Sequence, residues 1–434
     1  MKRLTILITV SVLLLTTGCY KQYTNPSAAT DVQILADVNG LITIAVGTQN
    51  TYSGVPLYSQ ITIAGFATRE LKLLNPGNTA ENDLLAGGGA VTNSNSRLSS
   101  LWAAMNRANY NGDNILANSS KASAGVAAGL NAYAYLFKGL AAGVMATFWT
   151  DVPLQNGLNA SFTNRTEALK KAIEWLKAGE SLVPAITSDF YNKVPSGIDL
   201  KNTFPALEAR YYNMLKDNDN ALAAANKVDL SVKSSFKFDN TNPNQVFAIA
   251  LSGINVYQMA DDTTFGLPVG LRPDPNDKRI GFYTYRNAGS PADVRGSGFF
   301  TSKSSPVPVY LPGEMILIKA EVYARKGASD ATQLTKAVTE LNKVLTKTAG
   351  SDAWGVGAAL PAYSGPLTQP EIMNEIYKNR RMELFMSGLE LEDCRRFGRP
   401  GPENSNTTER NRTYYPFPLA ERSNNINTPA DPAN

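Results

Sequence analysis

Apolar residues recur at helical spacing along most of this chain, and three stretches rich in Gly, Pro, Asn and Asp break the period. Residues 30–74 read as two helices, with Thr30 or Asp31 as N-cap and Val32, Leu35, Val38, Leu41 and Ile42 as one buried stripe. Residues 75–97 lose the pattern around Pro76, Gly77 and the triple glycine 87–89, and read as a long surface loop of the kind that carries function. Two further helices are predicted over 98–119 and 124–150. The second is apolar on nearly every side and rich in Ala and Gly, which marks a central helix with close neighbours. Trp102 and Trp149 sit inside these patterns and are expected in the core. Another helix over 166–182 buries Ala168, Leu169, Ala172, Ile173 and Leu176.

Residues 202–228 and 312–345 share one grammar: two short antiparallel helices with small and aromatic residues where they cross. Those residues are Ala209 and Tyr212 in one copy, Ala320 and Tyr323 in the other. This resembles tetratricopeptide hairpins, and about a hundred residues between the copies make any array interrupted. The interruption, 231–310, is irregular, with 245–251 as a candidate strand and the turn 274–279 as a structural feature. A second irregular insertion, 348–369, holds Trp354 and Tyr363 between glycines and prolines. The polar tail, 400–434, is expected to be pinned to the body by Tyr414, Tyr415 and Phe417.

Residues 369–396 read as one long charged helix, with Ile372, Ile376, Met382, Leu384, Phe385, Leu389 and Leu391 at roughly helical spacing. Pro370 suits its first turn. The spacing predicts same-face pairs of Arg380 with Glu383 and of Glu392 with Arg396. Gly388 allows a close crossing with another helix, or a break.

At the N-terminus, Lys2 and Arg3 precede an apolar run over 4–15 that is too short to span a bilayer, followed by Thr16, Thr17, Gly18 and Cys19. Residues 1–18 are expected to be an export signal, 19–29 a tether, and 30–434 one globular domain.

Composition narrows the chemistry. The 434 residues include no histidine, which excludes a histidine base, an imidazole zinc site and a histidine proton shuttle. With 41 basic and 37 acidic side chains there is no case for nucleic acid. Once Cys19 is committed to the N-terminus, Cys394 has no disulfide partner and is expected to be a small buried apolar residue. The adjacent carboxylates Asp261 and Asp262, and Glu390 with Glu392, have no glycosidase spacing, and no G-x-S-x-G, Walker or C-x-x-C motif occurs. No enzyme activity is expected. The insertions instead combine aromatic rings with amides and hydroxyls, which suits sugar rings with apolar C–H faces. The candidate ligand-binding residues are Trp354, Tyr363, Tyr283 and Tyr285, with Trp354 first because its flanking residues give the ring little local scaffold. Replacing Trp354 with alanine is expected to weaken binding at little cost in stability.

Arg380, Arg381, Glu383, Leu384, Gly388, Asp393 and Arg396 together resemble the C-terminal signature of the SusD/RagB family of Bacteroidetes outer-membrane lipoproteins, roughly E-R-R-x-E-L-x-x-E-G-x-R-x-x-D-L-x-R. Asn379, Ser387, Glu390 and Cys394 depart from it. Residues 148–154, FWTDVPL, resemble the family's W-G-D-V-P-L turn with Thr150 for glycine, and 274–279 resembles its D-x-R turn. Residues 16–19 resemble a lipobox.

The resemblance implies an all-α fold, with a tetratricopeptide-like scaffold and an irregular ligand-binding lobe built from 75–97, 231–310 and 348–369. It implies lipidation of Cys19, palmitate included, and an anchor in the outer membrane, since Tyr20 replaces the aspartate of inner-membrane retention. It also implies capture of a nutrient, an oligosaccharide or a peptide, for a SusC-like TonB-dependent transporter. No cofactor is expected, although acidic loops leave room for a structural calcium ion. A scaffold that binds only proteins and a hydrolase built as an α-helical barrel are the alternatives from other classes.

Overall fold

The computed structural model describes residues 31–247, 256–402 and 409–433. Cys19, the export signal and the tether lie outside these, as do the last residues of the candidate strand at 245–251. Five helices of the scaffold begin where an Asp or Asn side chain takes up a free backbone N–H. Asp37 caps α1 (Val38–Ser53), Asn95 caps α4 (Ser96–Asn118), Asn164 caps α6 (Arg165–Leu182), Asp199 caps α7 (Leu200–Met214) and Asp217 caps α8 (Asn218–Lys227). The N-terminal stripe is therefore divided. A single turn at Asp31–Ile34 precedes α1, whose cap is Asp37 rather than Thr30 or Asp31.

Between α1 and α4 lie α2 (Val55–Ala67) and α3 (Thr79–Ala86), so the expected loop over 75–97 contains a helix. The centre of the molecule is α5 (Ala124–Phe148), buried along nearly its whole length and flanked by α4 and α6. Trp149 and Trp102 meet edge to face in the core, with ring centroids 4.8 Å apart. From α5 a continuous helical layer runs through α6, α7 and α8 to α10 (Pro312–Lys326), α11 (Thr332–Leu345) and α12 (Gln369–Glu383). The mostly helical architecture is the one the periodicity predicts.

Although 231–310 separates the two hairpins in sequence, α8 packs directly on α10. The Arg210 guanidinium reaches the Glu314 carboxylate at 2.6 Å, and Asn213 donates to Glu321 at 3.1 Å. The insertion leaves and returns at a two-residue antiparallel ladder, β4 (Ser235–Phe236) on β8 (Val307–Pro308). Within it, β5 (Tyr257–Met259) pairs with β1 (Leu71–Leu73) after α2, and α9 (Lys278–Tyr283) leads into a hairpin of β6 (Thr284–Asn287) and β7 (Ser290–Gly296). A fourth ladder, β2 (Asp151–Pro153) on β3 (Phe162–Asn164), follows α5. At 348–369 a single 3-10 turn, Ala349–Ser351, is followed by irregular chain.

The predicted long helix at 369–396 is broken. After α12 the chain turns through Met386 (φ 60°) and Gly388 (φ 79°) before α13 (Glu390–Arg396). The charges of this segment take most of their partners from other elements rather than in the same-face pairs expected from spacing. Arg380 meets Asp393 at 2.8 Å, Arg396 meets Glu321 at 2.6 Å, and Glu383 takes Arg279 at 3.2 Å and Lys347. Glu392 pairs with Arg395 and Arg165. All of these acidic groups are buried, so the charged segment is an internal strut and not a solvated face.

Candidate ligand-binding site

The irregular lobe opens in a cleft of about 750 Å³ at the end of the β1–β5 ladder, walled by Leu267, Pro268 and Val269 and rimmed by Arg69, Asp261 and Arg399. The size falls within the range of small-ligand sites. Its backbone is strained at two points. Arg69 (φ 66°) and Phe265 (φ 51°) both occupy the left-handed region, which costs a non-glycine residue roughly 1 kcal/mol or more. Beside Phe265, Gly266 (φ 73°) passes so close to the chain after α2 that an added Cβ would lie 2.4 Å from the Thr68 carbonyl oxygen. Such strain persists only where surrounding contacts hold it.

Those contacts come from beneath. Asp261 accepts from the Thr263 and Phe265 backbone N–H groups at 2.8 and 3.3 Å and from the Thr264 hydroxyl at 2.6 Å. Burial pushes its carboxyl up, but these hydrogen bonds outweigh burial and hold it below the usual range. The Phe265 ring packs edge to face on Phe385, with centroids 4.6 Å apart. Arg381 of α12 reaches the Thr68 carbonyl at 3.4 Å and Glu70 at 3.5 Å, fixing the turn that presents Arg69. Burial, with the nearby Glu390 charge added, pushes the Glu70 carboxyl well up despite Arg381. On the other rim, Arg399 grips Glu409 at 2.9 and 3.0 Å and lies over the Tyr377 ring at 5.0 Å. Tyr377, Cys394 and Leu267 form one small apolar cluster under this rim. The signature-like segment thus supports the cleft from beneath without lining it. Cys394 is fully buried there, with its sulfur 3.3 Å from the Tyr377 hydroxyl.

The four aromatic candidates are placed separately. Tyr283 is 1% exposed and donates to the Glu383 carbonyl at 2.7 Å, so it offers no face to a ligand. Tyr285, two residues on, lies on β6 and is exposed. Trp354 is half-buried, edge to face with Phe299 at 5.6 Å and with Lys233 Nζ 5.1 Å from its ring centroid. Its flanking residues leave it free locally, but the β4–β8 end of the other insertion supplies the packing. Tyr363 belongs to a different apolar cluster, with α10 and α11, and its hydroxyl donates to the Pro366 carbonyl at 3.0 Å. None of the four lines the cleft. Arg69, Leu267, Pro268, Val269 and Arg399 are cleft residues that sequence reasoning did not single out. The run Gly266-Leu267-Pro268-Val269-Gly270 marks a turn, but nothing in it signals that Val269 would stand 76% exposed.

A second opening, lined by Tyr52, Phe236, Phe300 and Tyr310 among others, is an interior space of about 60 Å³, room for a few waters at most. Among the described residues no group of three or more Asp, Glu or Cys stands at metal-binding geometry, and no helix is long and apolar enough to cross a membrane.

The fold has clear counterparts. A SusD superfamily protein from Bacteroides fragilis superposes with a TM-score of 0.67 at 15% identity, over 91% of this chain and 99% of its own. A SusD-like carbohydrate binding protein from Bacteroides fragilis NCTC 9343 gives 0.68 at 14% identity, over 91% and 100%. A SusD homolog from Bacteroides thetaiotaomicron VPI-5482 gives 0.62 at 17% identity, over 91% and 98%. No family model matches the sequence, and no curated protein sequence matches it. The chain has the SusD-like helical fold.

Proposed function

We propose that this chain is a SusD/RagB-type lipoprotein that binds an oligosaccharide without altering it and passes it to a TonB-dependent transporter of the outer membrane. The observation that carries the reading is the strained cleft at Arg69 and Phe265, held open by buried ion pairs on a fold shared with a SusD-like carbohydrate binding protein. A pre-formed cleft binds without spending ligand energy on ordering its walls. The apolar wall suits the C–H faces of sugar rings, and Arg69 and Asp261 suit their hydroxyls. Cys19, acylated after removal of 1–18, anchors the protein to the membrane through 19–29.

Titration calorimetry of the mature chain against a panel of neutral oligosaccharides tests the binding step. Val269→Asp, which plants a charge on the exposed wall, is expected to abolish the heat of binding while leaving the melting temperature in place. Unchanged affinity in that variant removes the cleft from the site. Metabolic labelling with palmitate should mark the wild type and not Cys19→Ala, and the transporter should co-purify with the labelled protein. The same titration with short peptides distinguishes the peptide-binding reading.

A further inference from the structure

A separate open groove of about 630 Å³ lies on the helical scaffold, where α4, α5 and α6 meet the turn between β2 and β3. It shares no lining residue with the lobe cleft. Its floor is a locked hydrogen-bond chain. Lys138 Nζ, on a side chain only 3% exposed, donates to Asn109 Oδ1 at 2.6 Å and pairs with Asp113; Asp113 Oδ2 accepts from Asn156 Nδ2 at 2.7 Å. The ammonium also lies 4.3 Å from the centroid of the Trp175 ring, which faces the groove with Tyr135. The sequence prepared the site at Gly112: an added Cβ there would lie 2.6 Å from Lys138 Cγ, so only glycine lets the lysine lie across α4.

The far wall is equally fixed. The chain over 154–163 is held at one side by the β2–β3 ladder. At the other side Asn425 Nδ2 donates to the Ala160 carbonyl at 2.9 Å and Asn427 Nδ2 to the Asn159 carbonyl at 2.7 Å. Asn109 Nδ2 donates to the Leu154 carbonyl at 3.1 Å, tying this wall to α4.

The charges of Lys138 and Asp113 cancel each other, and Lys171, the other lysine lining the groove, is paired with Glu174 at 2.6 Å, so the lining presents no unpaired charge. What is left facing the groove is an aromatic ring beside alternating donors and acceptors: the half-exposed Asp113 carboxylate, the Asn156 amide and the Thr163 hydroxyl. An apolar C–H face on a ring with hydroxyls around its edge complements that arrangement. We propose that this groove is a second carbohydrate subsite that takes one neutral pyranose unit against Trp175, with its hydroxyls bonded to Asp113 and Asn156. The proposal stands on the groove's own chemistry and does not need the lobe cleft to bind sugar.

Saturation-transfer NMR on the mature chain with glucose, galactose, mannose and xylose, and with glucuronate as charged comparator, tests it. In the Val269→Asp background, where the lobe cleft is blocked, transfer to at least one neutral sugar is expected, lost when Trp175→Ala is added and about tenfold weaker with Asn156→Ala. Asn156 is exposed and forms one side-chain bond, so that variant decides the matter if Trp175→Ala fails to fold. In that background, absence of transfer to all four neutral sugars, preference for glucuronate, or transfer unchanged on adding Asn156→Ala overturns the proposal. Wild-type transfer that Val269→Asp alone abolishes overturns it while leaving the lobe cleft as the sugar site.

Discussion

Arg279 Nη1 and Glu383 Oε2 stand 3.2 Å apart inside the protein, although 104 residues separate them in the chain. Through this pair the irregular lobe is bolted to α12. Arg279 also holds Asp277 at 2.7 Å and the Asn379 side chain at 2.7 Å, using its planar fork in full. Replacing it with methionine leaves Asp277 buried without this guanidinium and Glu383 with Lys347 as its remaining cation. The expected loss is about 3–5 kcal/mol, read from urea denaturation, and lysine at this position should not rescue it.

Glu321 is the corresponding hub of the scaffold, taking Arg396 at 2.6 Å and Arg325. Burial raises its carboxyl, but Arg396, Arg325 and Arg380 together hold it below the usual range. A depressed acid stabilises the fold above its unfolded pKa, and that stability is lost as pH falls through the folded value. Glu321→Gln should therefore cost several kcal/mol, about 3 or more at pH 7, and the gap to wild type should narrow towards strongly acid pH in thermal melts.

Glu208 behaves in the opposite sense. Burial, with the Glu180 charge added, pushes it up to about 7 against an ordinary 4.5. Below 4.5 the folded and unfolded chains both hold the proton; between 4.5 and 7 only the folded chain keeps it, so stability declines as pH rises through that window. Glu208→Gln should match wild type at pH 4 and exceed it by about 2–3 kcal/mol at pH 8 in paired denaturation curves.

Arg69 occupies a left-handed backbone conformation at the cleft rim. Arg69→Gly should relieve that strain and raise stability by up to about 1 kcal/mol, while weakening oligosaccharide binding in the calorimeter. Lower stability together with unchanged affinity would show that the strain serves neither the cleft nor its ligand.

Trp354→Ala removes a half-buried ring from Phe299 and Lys233. A loss of about 2 kcal/mol is expected from this packing, where the sequence alone predicts little cost. Measuring the melting temperature and the affinity of one preparation separates packing from contact.

Much of the scaffold is legible because its helices bury one stripe, and periodicity reports burial. The helix Thr79–Ala86 is hidden for the converse reason: it buries Glu81 along with Leu84, and Glu81 is matched by Arg97 at 2.6 Å. Local spacing misassigns the partners of Arg380 and Glu383 because it sees only neighbours on one helix, whereas a buried guanidinium takes carboxylates from any element that reaches it. Tyr283 and Tyr285 look equivalent in sequence, yet one ends α9 facing inward and the other lies on the exposed hairpin. The cleft is the least legible part, since its identity rests on two backbone angles that no side-chain pattern announces. Trp175 is concealed similarly, as one more ring in an amphipathic helix.

The β4–β8 ladder closes the insertion upon itself before the chain re-enters the helical layer. The ladder fixes where the insertion leaves and returns, while the Arg279–Glu383 pair and the β1–β5 ladder tie the chain between to the body, so lobe and frame stand or fall together. A foreign loop grafted between Phe236 and Val307 would have to bring its own cation for Glu383 and its own strand for β1, so recognition here evolves only together with the body that carries it.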